Sequence, residues 1–147
     1  MPILTSKVTS KMVKGLQVEN FARDFSLRVD EPEGMGGTDS GMTPMEAMLI
    51  ALGSCQVIVA AAFARHHGID LQDFWLDVEG DLDLDGFQKG APGVRVGFQE
   101  VRITPHIKTS SSPEDVKKFL AFVESRCPVT DVMLNGTKIV PADAVIE

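Results

Sequence analysis

Cys55 and Cys127 are the only two thiols in the 147 residues, and each falls in a well-marked helical context. Cys55 lies midway along the most apolar stretch, between Thr43-Pro44-Met45-Glu46 and Gly68, and Cys127 immediately precedes Pro128. A thiol inside an apolar helix is pushed toward its neutral form, so it reacts only with a positive or hydrogen-bonding neighbour. A thiol at a helix N-terminus meets unpaired N–H groups and the positive end of the macrodipole, which favour the thiolate. The pairing of these two contexts is the layout of a redox pair. One packing cysteine and one incidental surface cysteine is the alternative that spacing alone leaves open.

Other reactive side chains assemble into nothing comparable. His66 and His67 fall at a helix C-terminus and His106 on the polar face of a strand, so all three read as structural. Two cysteines without CxxC spacing do not make a zinc site. No GxGxxG follows a strand and no GxxxxGK[ST] occurs, so nucleotide chemistry has no support and no cofactor or metal is expected.

The elements that carry the thiols can be read from pattern. Thr43 is suited to an N-cap, Pro44 to the first helical position, and Glu46 completes a capping box. The helix ends at Arg65-His66-His67-Gly68, with ionisable groups in its last turn and glycine at the C′ position. That span of roughly 24 residues is about 36 Å long at 1.5 Å per residue. Its middle is apolar on every face, which predicts burial all round and, in a domain this small, packing against the same helix of a second subunit. Ahead of it, Leu16, Val18 and Phe21, then Phe25, Leu27 and Val29, predict strands joined by a polar turn spanning Glu19-Asn20 to Arg23-Asp24. The run Lys7–Lys14 reads as a solvated strand or arm, and Asp30–Gly41, with four glycines and a proline, as an irregular loop.

Beyond the helix, Phe74, Leu76, Val78, Leu82 and Leu84 alternate with acidic residues, which predicts a half-buried strand with an acidic outer face. Phe98–Lys108 repeats the alternation across a glycine-rich connection from Asp85 to Gly97, making an antiparallel hairpin. Ser112-Pro113 opens a helix to about Ser125 with Val116, Phe119, Leu120 and Val123 on one face. Cys127-Pro128 opens a short helix ending at Asn135-Gly136, and Lys138–Val140 is expected as a last strand. Residues 1–147 thus read as one α+β domain with antiparallel sheet.

With 44% hydrophobic and 24% charged residues, the composition is that of a soluble globular domain. A net charge of −7 disfavours nucleic-acid binding. The apolar run Met48–Ala64 is read as too short, and too interrupted by Gly53, Ser54 and Gln56, to cross a membrane. No signal peptide is expected at Met1–Ser6, which points to the cytoplasm, where a disulfide is transient rather than structural.

The string Gly36-Gly37-Thr38-Asp39-Ser40-Gly41-Met42-Thr43-Pro44-Met45-Glu46-Ala47-Met48-Leu49-Ile50-Ala51-Leu52-Gly53-Ser54-Cys55 resembles the signature of the OsmC/Ohr family, and Arg126-Cys127-Pro128-Val129 is similar to its second cysteine motif. The resemblance implies an OsmC-like fold: antiparallel sheets around a long buried central helix, in an intertwined homodimer. It also implies thiol-dependent reduction of an organic hydroperoxide, with Cys55 peroxidatic, Cys127 resolving and a dithiol reductant recycling the pair. The pocket is expected to be lined by Met, Leu and Ile of the long helix, with Met42, Met45 and Met48 at its rim. In the hydroperoxide-resistance branch a glutamate directly follows the proline and partners an arginine. Here Met45 holds that place and Glu46 comes one later, where the capping box also accounts for it. No Gly-Arg-Asp-Gly-like run is present, which leaves Arg23, Arg28 and Arg126 as candidate activating arginines. A non-catalytic dimer that binds a small apolar ligand is the competing function.

Overall fold

The computed structural model describes residues 1–147 and separates into two compact units, 1–49 and 50–147. In the first, β1 (Thr9–Lys14), β2 (Gln17–Ala22) and β3 (Phe25–Val29) form an antiparallel sheet in the order β1-β2-β3. The basic run is therefore a paired strand, with Thr9 opposite Phe21 and a bulge between Met12 and Lys14. Glu19 and Asn20 belong to β2 rather than to the turn. The turn is confined to Arg23-Asp24, where Arg23 takes a left-handed φ of 56°.

After β3 the chain enters the glycine-rich loop, which contains a single 3-10 turn at Glu33–Met35. Asp30 organises this loop. Its carboxylate accepts hydrogen bonds from the N–H groups of Glu31, Thr38 and Ser40 and from the hydroxyls of Thr38 and Ser40. Gly37 is required there, because a Cβ would run into the backbone carbonyl of Glu31. Asp30 N–H donates to the Met42 carbonyl at 3.1 Å, so the loop leaves the sheet and returns to it just before the long helix.

The long helix, α1 (Pro44–Phe63), opens with the predicted box: Thr43 N–H donates to the Glu46 carboxylate at 2.7 Å, and Glu46 N–H to Thr43 Oγ1 at 3.1 Å. It tightens into a 3-10 turn over Ala64–His67 and is capped by left-handed Gly68. Burial all round is not seen in the single chain. Only Leu52, Gln56, Val59 and Ala60 of α1 are buried, whereas Met48, Ile50, Ile58 and Phe63 stay exposed. The helical run Pro44–His67 is also long and apolar enough to span a bilayer, so shortness is no argument against a membrane. Part of it is packed: Val59, Ala60 and Ala64 join Ile69, Phe119 and Val123 in one core.

In the second unit, β4 (Asp73–Leu82) and β5 (Phe98–Lys108) form the antiparallel pair, in register from Asp73 opposite Lys108 to Asp81 opposite Glu100, with a bulge before Leu82 meets Phe98. The half-buried alternation of β4 is as expected up to Leu82, but Leu84 is not part of it. Leu84 opens a short helix, α2 (Leu84–Lys89), inside the segment read as a plain glycine-rich connection. Asp83 caps it by accepting the Asp85 N–H at 2.9 Å, and left-handed Gly90 ends it. The helix α3 (Pro113–Arg126) is capped by Ser112 and buries Phe119 and Val123. Cys127 then caps α4 (Pro128–Asn135). The predicted last strand does not form. Residues 136–147 have no regular structure, and Ile139 and Val140 are exposed because no neighbouring strand offers them a ladder.

Candidate active site

The two cysteines meet at the N-terminus of α4. Proline at the first position of α4 has no N–H, so the next two amides, Val129 and Thr130, are the free donors of that end. Thr130 N–H donates to Cys127 Sγ at 3.4 Å. Cys55 reaches the same point from mid-α1, close enough to Cys127 for the two thiols to shift each other's ionisation. Both thiols are free. They differ in access: Cys127 is 1% exposed, whereas Cys55 is partly exposed.

The electrostatics of the pair are asymmetric. Burial pushes the Cys55 thiol up, and the hydrogen bond and negative charge at Cys127 push it the same way, against the Val129 N–H. Burial also pushes Cys127 up. Hydrogen bonds from Cys55, from the Thr130 hydroxyl and from the Thr130 and Val129 amides outweigh it and hold Cys127 below its ordinary value. Of the two, Cys127 is therefore the one favoured as thiolate and Cys55 the one favoured as thiol.

Two residues of this cluster were not singled out from the sequence as functional. Thr130, on α4, donates its amide to Cys127 Sγ. Gln56, beside Cys55, donates from Nε2 to Thr130 Oγ1 at 3.0 Å. The available signal was an amide interrupting an otherwise apolar helix, which a buried position tolerates only with a partner.

The remaining candidates have local partners. Glu46 is engaged by the cap of α1. Arg28 pairs with Glu19 across β2–β3 at 3.1 Å, and Arg23 lays its guanidinium over Phe25, 5.0 Å from the ring centre. Arg126 lies over Phe122 at 5.7 Å. The histidines are aromatic partners: His67 packs 4.1 Å from Phe122, and His106 stacks on Trp75 while bonding Asp77 at 2.7 Å. A cavity of about 420 Å³ in the second unit is walled by Phe74, Leu76, Val101, Ile103 and Leu120. Gln56 is the one residue α1 contributes to it, so its walls are not the Met, Leu and Ile residues of the helix.

Comparison with known proteins identifies the family and the fold. Residues 37–141 match the family described as OsmC-like protein. A hydroperoxide reductase of Mycoplasma genitalium is 29% identical over 100 residues, which is 66% of this chain and 64% of that protein, so the chain matches less than two thirds of its relative's length. Among solved structures, an OsmC-like protein from Mycoplasma pneumoniae superposes with a TM-score of 0.80 at 20% identity, over 90% of this chain and 89% of the other. An organic hydroperoxide resistance protein from Legionella pneumophila gives a TM-score of 0.71 at 17% identity, over 92% and 93% of the two chains. These structures share the α+β arrangement of antiparallel sheets and a long helix.

Proposed function

Because the chain belongs to the OsmC-like protein family, we propose that it reduces organic hydroperoxides through the Cys55–Cys127 pair. The observation that carries the reading is the juxtaposition of two thiols remote in sequence, one partly exposed and one buried. Distant relatives named hydroperoxide reductase support the same chemistry.

The order of events follows from access and charge. Cys55, the exposed member, meets the peroxide. Cys127 begins as the thiolate, having released its proton to solvent. The Cys55 proton passes to it as Cys55 Sγ attacks the terminal oxygen of ROOH. The O–O bond breaks, and the departing alkoxide takes a proton back from solvent to leave as ROH. Cys55 is left as a sulfenic acid. Cys127 Sγ then attacks Cys55 Sγ, the S–O bond breaks, and the hydroxyl leaves as water with the remaining thiol proton. The products are one alcohol, one water and a Cys55–Cys127 disulfide. A dithiol reductant returns the disulfide to two thiols and is itself oxidised, which suits a reducing compartment such as the cytoplasm. In this reading the chemistry belongs to the cysteines, and Glu46, Arg23 and Arg28 keep the local partners described above.

A second subunit belongs to the proposal. Met48, Ile50, Ile58 and Phe63 leave an apolar flank of α1 in water, and a copy of the same helix covers it with matching chemistry.

The test is turnover and its products. With a dithiol present, the protein is expected to consume cumene hydroperoxide faster than hydrogen peroxide, Cys55→Ser to abolish turnover by at least about 10³-fold, and Cys127→Ser to acquire added oxygens on Cys55 under excess peroxide. Mass spectrometry identifies these states. Two free thiols persisting in the wild type through prolonged exposure to organic hydroperoxide would replace this reading with that of a non-catalytic protein holding a small apolar ligand.

A further inference from the structure

A buried amide in an apolar helix needs a reason, since an apolar residue of the same shape fills the space without desolvating a polar group. Gln56 is 5% exposed and Thr130 8% exposed, and the 3.0 Å bond between them is enclosed. Threonine's hydroxyl carries one proton and accepts through its lone pairs. With Gln56 Nε2–H bound to Oγ1, the Thr130 side chain is held from α1 while its backbone N–H donates to Cys127 Sγ at 3.4 Å. The result is a buried relay from α1 through Thr130 to the sulfur, in surroundings where hydrogen bonds strengthen one another.

We propose that Gln56 and Thr130 are positioning residues for the thiol pair: the Gln56 amide anchors the Thr130 side chain, and Thr130, so anchored, holds Cys127 Sγ at the end of α4 where Cys55 meets it. The catalytic consequence rests on the peroxidase reading, but the relay itself does not. Cys127 held this way is ready to attack as soon as Cys55 becomes a sulfenic acid, so resolution outruns further oxidation. The depressed ionisation of Cys127 against the raised ionisation of Cys55 accords with that geometry.

The charged and titratable groups around Cys127 are few. They are Cys55 on α1, Glu124 and Arg126 at the end of α3, and Asp131 in the first turn of α4. Arg126 lies over Phe122, Asp131 accepts from the Asn135 side chain, and Glu124 enters only through its backbone carbonyl, 3.3 Å from the Cys127 amide nitrogen. Cys55 is the one whose contact bears on the sulfur.

The relay is tested without turnover. In the reduced Cys55→Ser protein, thiolate absorbance near 240 nm against pH reports Cys127 alone. Adding Thr130→Val is expected to raise the midpoint by about one pH unit, Thr130→Ser to restore it, and Gln56→Met to raise it by less. With Cys55 intact, one equivalent of cumene hydroperoxide followed by alkylation and mass spectrometry is expected to show disulfide closure slowed about fivefold or more in Thr130→Val and rescued in Thr130→Ser. Circular dichroism checks folding, and Gln56→Met carries the test if Thr130→Val does not fold. An unchanged midpoint across the folded variants, with only the melting temperature lowered, overturns the relay. So does wild-type closure in a folded Thr130→Val protein. If the wild type never oxidises, the peroxidase reading fails, while the absorbance titration still decides the relay.

Discussion

Asp30 is the residue whose surroundings speak most directly to pH. Its carboxylate is 1% exposed and receives five hydrogen bonds from the loop it organises, led by the Thr38 hydroxyl, which hold its ionisation well below the usual carboxylate range. The folded value is depressed, so the native protein binds fewer protons here than the unfolded chain. The resulting stability is complete above the unfolded value of about 4 and is lost as pH falls through the folded value. Asp30→Asn is expected to lower the melting temperature at pH 7 and to converge on the wild type as both are taken toward pH 2. A constant difference between them from pH 7 to 2 would mean that the lost interaction is packing rather than charge. The sequence marked residues 30–41 as loop but did not single out Asp30, because five donors converge on it only after the loop has closed.

At the scale of elements, caps and periodicity were the most legible features. The Thr43/Glu46 box, the Ser112 cap and the Cys127 cap are all made by the side chains that sequence spacing nominated. Thr43→Ala removes one of the reciprocal bonds and leaves the Glu46 amide to water. It is expected to cost about 1 kcal/mol and to lower the melting temperature by about 3 °C, read by thermal denaturation. A variant melting at the wild-type temperature would show the cap to be idle. Less legible were α2 and the absent last strand. The helix α2 is six residues held by an aspartate cap and a left-handed glycine, too short to announce itself by periodicity. Gly86 within it cannot carry a Cβ, because the Arg95 carbonyl lies against it, a contact invisible to pattern. Lys138–Val140 has β-branched residues suited to a strand, but a strand is a pairing and no partner meets it.

At the scale of the molecule, the exposed flank of α1 is the feature a single chain leaves unresolved. Light scattering is expected to give twice the chain mass of 15.9 kDa. Ile58, 67% exposed in the chain, is the natural place to challenge the interface. Ile58→Glu sets an unpaired carboxylate on that apolar flank and is expected to weaken association by tenfold or more, about 1.4 kcal/mol. The readout is dissociation on dilution. A wild type that scatters as a monomer at micromolar concentration would remove the second subunit from the proposal.

Local chemistry by itself determined where the helices begin, which strand faces are apolar, that the class is α+β, and which two residues are the reactive ones. Those properties reside in spacing and side-chain type, and neighbours in sequence suffice to express them. Only the tertiary structure decided that Cys55 and Cys127 meet at the end of α4, that Gln56 reaches Thr130, and that Arg28 pairs with Glu19 on the neighbouring strand. Each is a contact between groups whose separation along the chain says nothing of their distance in space. Which sulfur is favoured as thiolate depends on the groups that surround both, and those groups come together only when α1 and α4 have packed.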